Sequence, residues 1–288
     1  MASTALDRAA EIPKDDPVLA RMGSLEVSLA TSAQDMRAAW ALRHAVFVTE
    51  RGLTPRASGL ETDRFDPHCD HIVVRDLDRR TPHGAAPVVG TYRALRPEMA
   101  EMGFYAEAEF DLARLFARHP AMRFCEVGRS CVSPAYRNQR TLEALWRGLF
   151  VYARRHGIDA YFGAASFSGT DPAAHAMALS WLYHNATSPD WDAPARSAGA
   201  VAMDGVAPGA IDARLALRKM PPLLRGYLRI GAHVGKTAFA DPVFSTLDVL
   251  VIAPLAEAPL LWRRRFETLT GQGFDNRRTP VGIAPDLL

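Results

Sequence analysis

Apolar and polar residues alternate over Leu25-Glu26-Val27-Ser28-Leu29, the two-residue period of a half-buried strand. Ser32-Ala33-Gln34-Asp35 then opens a helical pattern in which Met36, Trp40, Leu42, Ala45 and Val46 recur on one side. After a loop over 52–69, the runs 71–74 and 88–93 read as an antiparallel pair joined by a turn-rich segment. A short helix over 112–118 follows, then a strand over 123–127 that ends in Gly128-Arg129-Ser130-Cys131-Val132. The strongest helical signal spans 141–156, with Leu142, Leu145, Trp146, Leu149, Phe150 and Tyr152 as its apolar positions and Gly157 as its C-cap. A strand over 160–164 and a helix over 172–185 come next. Residues 186–209, rich in Pro, Gly, Ala and Ser, read as a long surface insertion. Two strands, near 227–232 and 246–252, close the pattern before an apolar-basic segment, Leu260-Leu261-Trp262-Arg263-Arg264-Arg265-Phe266.

This organisation predicts a flexible tail over 1–24, one catalytic domain over 25–255 with an insertion at about 171–222, and a C-terminal amphipathic segment and tail over 256–288. The longest apolar-looking run, 247–261, is broken by Asp248, Glu257 and prolines, so it falls short of the roughly 18 to 20 residues that cross a bilayer. The first 22 residues hold six charged side chains from Asp7 to Asp16 and lack an apolar core, which argues against an ordinary secretory signal. A cytoplasmic protein, or one resting on the inner face of the membrane, is expected. Cys69, Cys125 and Cys131 are odd in number and lack Cys-x-x-Cys spacing, which supports neither a disulfide framework nor a zinc site; no metal is expected. With 34 basic and 32 acidic side chains the net charge is only +2, and nucleic-acid binding has no support.

The order of elements matches an α/β acyltransferase core: a mixed, mostly antiparallel sheet with splayed strands and flanking helices. The helix following the 123–132 strand presents free N–H groups and a positive dipole end, preceded by Arg137, Asn138, Gln139 and Arg140. That is a candidate phosphate seat, and equally an ordinary solvated helix start.

Several motifs together resemble the bacterial ornithine N-acyltransferases of the GNAT superfamily, the enzymes that make lyso-ornithine lipid, and more distantly the acyl-homoserine-lactone synthases. They are Leu42-Arg43-His44-Ala45-Val46-Phe47-Val48-Thr49-Glu50, Asp63-Arg64-Phe65-Asp66, Gly90-Thr91-Tyr92-Arg93 and Glu126-Val127-Gly128-Arg129-Ser130. Phe65-Asp66-Pro67-His68-Cys69-Asp70-His71, Ser166-Phe167-Ser168-Gly169-Thr170-Asp171 and Pro221-Pro222-Leu223-Leu224-Arg225-Gly226 resemble the ornithine type. The resemblance implies a GNAT fold and transfer of a long-chain 3-hydroxyacyl group from acyl carrier protein to L-ornithine, with no tightly bound cofactor. A departure bears on the donor: the glycine loop of acetyl-CoA-dependent relatives would fall at residues 137–142, which contain no glycine. Gln139 and Arg140 crowd the close approach that a pyrophosphate needs, whereas the phosphopantetheine of a carrier protein brings one phosphate. Val132, Arg137, Arg140 and Thr141 are its candidate contacts.

Amine acylation needs a neutral amine and therefore a base. Glu126 interrupts the apolar run 124–127 at a strand end and is the candidate; an ion pair with Arg129 or Arg93 is the structural alternative. Arg43, Arg93 and Arg129 suit a substrate carboxylate or the acidic loop of Asp63, Asp66 and Asp70, and that loop in turn suits a second ammonium. The alternative is an internal ion-pair network. Phe47 is a candidate pocket wall or core residue, His71 an auxiliary base candidate, and Ser130 a donor to the thioester oxygen, with no nucleophile elbow around it. Basic side chains at 147, 154 and 155, or at 214, 218, 219, 225 and 229, are candidate docking points for an acidic carrier protein. A lactone synthase and a non-catalytic acyl-binding protein are the rival functions.

Overall fold

A computed structural model describes residues 16–270. The chain divides into two compact units, the first mainly residues 16–101 and 127–158, the second mainly 102–126 and 159–268.

In the first unit β1 (Val18–Met22), β2 (Leu25–Leu29), β3 (Asp70–Asp76) and β4 (Val88–Leu95) pair consecutively as an antiparallel meander, and the end of β5 (Phe124–Val132) follows β4 in the order. β1 corrects the expected tail: Val18 to Met22 pair with β2, and Leu19 is buried. The rest of that expected tail, residues 1–15, lies outside the described residues. Helix α1 (Ala33–His44) starts on a capping box in which Ser32 accepts from the Asp35 amide and Asp35 reaches back to the amide of Ser32. It runs into a π-turn, Ala45–Thr49, that holds Phe47. Helix α3 (Gln139–His156), capped by Asn138 and ended by left-handed Gly157, packs over β1 and β2. Its Gly148 permits a close approach: a Cβ there would meet Val27 Cγ1 at 2.4 Å.

In the second unit the start of β5 lies parallel to β6 (Ala160–Ser168), but their ladder ends at Glu126↔Phe162, three residues into two nine-residue strands. β6 then pairs along its whole length with β9 (Thr246–Pro254), and β8 (His233–Asp241) and β7 (Ala200–Ala202) complete the order. Phe110, Phe124, Phe162 and Trp191 share one buried cluster, which includes Leu112 and Leu115 of α2 (Leu112–Arg118). Trp181 and Leu182 of α4 (Pro172–Asn185), Ala216 of α5 (Ala213–Lys219) and Leu224 and Leu228 of α6 (Pro222–Arg229) share another.

Helix α6 replaces much of the strand expected near 227–232. Pro222 opens it at a position where a missing N–H costs nothing, Leu224 and Leu228 bury one face, and Gly231 at φ +87° turns the chain into β8, which begins at His233. The stretch 186–209 is also more structured than a surface loop, since it contributes β7 and buries Trp191, Ala193 and Met203. Cys69, Cys125 and Cys131 are buried free thiols, and burial pushes the Cys131 thiol up to about 12. Helix α7 (Leu260–Thr270) occupies the apolar-basic segment; residues 271–288 of the expected C-terminal tail lie outside the described residues.

Candidate functional site

The charged residues singled out in the sequence of the first unit converge on one buried network. Arg43, on the last turn of α1, donates through Nε to Glu61 Oε2 at 2.5 Å, through Nη1 to Asp66 Oδ1 at 2.6 Å and through Nη2 to Asp66 Oδ2 at 3.2 Å. Arg93, on β4, donates to Asp63 Oδ1 at 2.5 Å and to Asp66 Oδ1 at 3.1 Å. Arg129 closes the set, with Nη2 2.9 Å from Asp63 Oδ2 and Nε 3.3 Å from Glu61 Oε1. Three guanidinium groups thus face three carboxylates, and the fork of arginine lets each cation span two partners.

Local backbone geometry puts these groups in place. The Asp63 amide donates to Asp66 Oδ2 and the Phe65 amide to Asp63 Oδ1, which folds the acidic loop into a tight turn over the 3-10 segment Asp66–His68. Arg129 adopts φ +50°, a left-handed conformation that costs free energy for a residue with a side chain; the two ion pairs of its guanidinium accompany that strain. Burial pushes the Asp63 and Asp66 carboxyls up, but the opposing arginines and the loop amides outweigh it and hold both below the ordinary carboxylate range.

Glu61 was missed in the sequence, although Arg43, Arg93 and Arg129 outnumber Asp63 and Asp66 and a third buried carboxylate balances them. Asp70 stands slightly apart: its Oδ2 accepts from Arg96 Nε at 3.0 Å and from the Tyr152 hydroxyl at 2.6 Å. The side chains of Asp63 and Asp70 keep 21% and 24% of their exposure, against 2% for Glu61 and Asp66, which separates two reachable carboxylates from two sealed ones. His71 is buried beside them, with Nε2 3.1 Å from the Asp66 carbonyl. A carbonyl only accepts, so the proton sits on Nε2, and Nδ1 has no partner among the described residues. Burial first, and the charges of Arg43 and Arg93, outweigh Asp66 and hold the imidazole below its ordinary value, so His71 is neutral at pH 7. Phe47 is half-buried, with Arg51 over its ring at 5.8 Å. Ser130 sits half-buried on β5.

The candidate phosphate contacts also belong to this unit, and protein groups engage them. Arg137 donates through Nε to the Val132 carbonyl at 3.0 Å and through Nη2 to Glu50 at 2.6 Å; Arg140 donates to the Met22 carbonyl at 3.1 Å. Asn138 caps α3 by accepting from the Thr141 amide at 3.0 Å. Helix geometry leaves the amides of Gln139 and Arg140 without intrahelical acceptors, so those are the N–H groups an incoming phosphate could meet.

Glu126 lies in the second unit. It is buried, and its carboxylate accepts from the backbone amides of Tyr105 and Ala106, each at 2.7 Å, at the start of the 3-10 turn Tyr105–Ala108. Two main-chain donors offset the cost of burying the charge. The same unit holds a buried carboxylate trio not anticipated from the sequence, Glu109, Asp241 and Asp248, with oxygens within 4.8 Å of one another. Asp241 accepts from the amides of Val243 and Phe244, and Asp248 from the Thr246 hydroxyl.

Comparison with known proteins places the chain in a family. An acetyltransferase (GNAT) domain matches residues 42–147. The L-ornithine N(alpha)-acyltransferase of Brucella abortus (strain 2308) is 46% identical over 248 residues, covering 84% of this chain and 88% of the relative. The enzyme of the same name from Rhizobium meliloti (strain 1021) is 44% identical over 257 residues, covering 87% of this chain and 86% of the relative. Among solved structures, FeeM, an N-acyl amino acid synthase from uncultured soil microbes, superposes with a TM-score of 0.50 at 8% identity, covering 83% of this chain and 98% of its own, which identifies a shared fold. With that fold and that degree of identity over most of its length, the chain is an acyltransferase and belongs to the L-ornithine N(alpha)-acyltransferase family.

Proposed function

We propose that this acyltransferase moves a long-chain 3-hydroxyacyl group from acyl carrier protein to the α-amine of L-ornithine and so produces lyso-ornithine lipid. The observation that carries the choice of acceptor is the 46% identity over 84% of the chain to a relative named for ornithine. In the transfer the neutral amine attacks the thioester carbonyl, the C–N bond forms, the C–S bond breaks, and the carrier leaves as a thiol. Glu126, directly or through a water, takes the proton that the attacking nitrogen loses, and the departing sulfur gains one. Its burial supports this role, since a carboxylate shielded from water and held by two amides keeps a fixed position. Ser130 donates to the thioester oxygen.

Arg93 and Arg129 orient the substrate carboxylate. Asp63 and Asp70, the partly exposed members of the acidic loop, meet the side-chain ammonium, while Asp66 and Glu61 fix the arginines. Arg43 and His71 hold Asp66 in register, and Phe47 lines the acyl chain's path. Val132, Arg137, Arg140 and Thr141 border the phosphopantetheine at the start of α3, where the absence of glycine favours a single phosphate over a pyrophosphate.

No helix among the described residues is long and apolar enough to cross a membrane. Contact with the inner face of the cytoplasmic membrane is supported by Leu260 and Leu261, 58% and 76% exposed at the start of α7.

The test is an incubation of pure protein with one 3-hydroxyacyl group carried on acyl carrier protein or on CoA, and with ornithine, lysine, glutamine or S-adenosylmethionine, read by mass spectrometry. The expected product is Nα-acylornithine, formed with the higher kcat/KM from the carrier protein. A lactone made from S-adenosylmethionine would replace this reading with that of a lactone synthase.

A further inference from the structure

Residues 205–230 of the second unit carry five basic side chains, Arg214, Arg218, Lys219, Arg225 and Arg229, against one carboxylate, Asp212. Their net charge of +4 exceeds the +2 of the whole chain, so the rest of the molecule carries a net −2; residues 137–155 also carry +4, but Arg137 and Arg147 there pair with Glu50 and Glu143. The carboxylate of Asp212 is the N-cap of α5, where Oδ1 accepts from the Leu215 amide.

Folding turns this run into a surface. On α5, Ala216 and Met220 point into the core, and Arg214 and Arg218, four residues apart and both exposed, share the opposite face with exposed Lys219 beside them. Elsewhere in the same unit Arg114 pairs with Asp111, Arg118 donates to the Asp192 carbonyl and Arg196 to the Glu107 carbonyl. Arg214, Arg218, Lys219 and Arg225 have no ion pair or side-chain hydrogen bond among the described residues. Helix stability accounts for Arg218 and Lys219, whose charges complement the C-terminal end of the α5 dipole. It does not account for Arg214, which sits in the first turn, where the dipole opposes a cation.

We propose that the α5–α6 face, through Arg214, Arg218 and Lys219, docks the acidic carrier protein that delivers the acyl group. This inference rests on the carrier-protein reading of the donor and adds to it the surface that recognises the partner. The chemistry fits an acidic soluble protein better than a bilayer. Binding in a membrane interface buries an apolar helix face, and none of the exposed large apolar side chains, Leu53, Met102, Val243, Leu260 and Leu261, falls within 205–230. Unpaired cations at the rim of an interface raise the encounter rate with an acidic partner, and salt weakens that effect.

The experiment compares the parent with Arg214→Glu/Arg218→Glu and with Arg214→Lys/Arg218→Lys, using one acyl group on holo acyl carrier protein and on CoA at several salt concentrations. The charge-reversed protein is expected to melt close to the parent by circular dichroism, because neither side chain has a partner among the described residues and the dipole gain of Glu in the first turn at 214 offsets its loss near the C-terminal end at 218. Its KM for the carrier thioester is expected to rise at least about ten-fold with saturated turnover little changed, its salt dependence to flatten, and its CoA kinetics to stay the same. The lysine variant is expected to retain the parent's KM. If the parent uses the carrier thioester but charge reversal moves neither KM nor salt slope, the docking surface is wrong and the donor assignment stands. If the parent accepts only CoA thioesters, the donor assignment fails and takes the surface with it. Loss of co-sedimentation with phosphatidylglycerol vesicles at unchanged carrier KM would reassign the face to a bilayer and overturn the proposal.

Discussion

The guanidinium of Arg43 meets the carboxylate of Asp66 through two hydrogen bonds, at 2.6 and 3.2 Å, and both groups are sealed from water. Removing one charge from such a pair strands the other, and this costs far more than the pair itself contributes. Asp66→Asn is therefore expected to lower unfolding stability by about 3–5 kcal/mol in urea titrations. The double variant Asp66→Asn/Arg43→Met should cost less than the sum of the single changes, because it leaves the network closer to neutral. A single-variant loss under about 1 kcal/mol would mean that water reaches the pair.

His71 makes stability depend on pH. Its folded-state value is held below the unfolded one, so the unfolded chain binds the extra proton first as pH falls. The stabilisation is complete above the unfolded value of about 6.5 and is lost as pH drops from there through the folded value, with a slope of at most about 1.4 kcal/mol per pH unit. His156, also lowered chiefly by burial, acts with the same sign. The comparison is thus between parent and His71→Asn, in which the slope of melting temperature between pH 7 and 5 should shrink. An unchanged slope would clear His71 of this role.

Gly148→Ala offers a test of packing free of charge effects. Alanine favours a helix by roughly 1 kcal/mol over glycine. Here its Cβ would lie 2.4 Å from Val27 Cγ1 and 3.2 Å from Val27 Cβ, so α3 must move off β2. Overpacking of this kind costs about 1–3 kcal/mol, and net destabilisation is expected in thermal melts. Val27→Ala in the same chain should recover part of it; a stabilised Gly148→Ala would show that α3 shifts freely.

Glu126→Gln probes the proposed base. Acyl transfer should fall by roughly two to four orders of magnitude in kcat, the usual contribution of a general base. The fold should lose about 1–3 kcal/mol, because the amide NH2 of glutamine cannot accept from one of the two backbone donors. Activity within a few fold of the parent would take the base role away from Glu126.

Long periodic segments were legible in the sequence because many residues report on them at once. Helix α3, expected over 141–156, shows an apolar stripe and a stop at Gly157; the structure places it at Gln139–His156, its start set by the cap at Asn138. Helix α6 was misread because 227–232 is too short to separate a period of two from one of 3.6. The informative pair, Leu224 and Leu228, began three residues earlier. In the charged network Arg43, Asp63, Asp66, Arg93 and Arg129 stood out as ions within motifs, whereas Glu61 lies in a loop whose pattern marks no face as buried. The pairing of individual ions was not legible either: Asp70 turned to Arg96 and Tyr152, partners set by tertiary packing rather than spacing.

At Tyr105 and Ala106 the Glu126 carboxylate is held by main-chain amides, so these two contacts are indifferent to most of what mutation can do there. Position 105 can drift through many residue types while still presenting the same N–H, and position 106, fully enclosed, needs only to stay small. Proline is the exception, since it alone deletes the donor. A substitution map of this turn should therefore look permissive at 105 for everything but proline, even though the turn holds the group on which the reaction is proposed to depend.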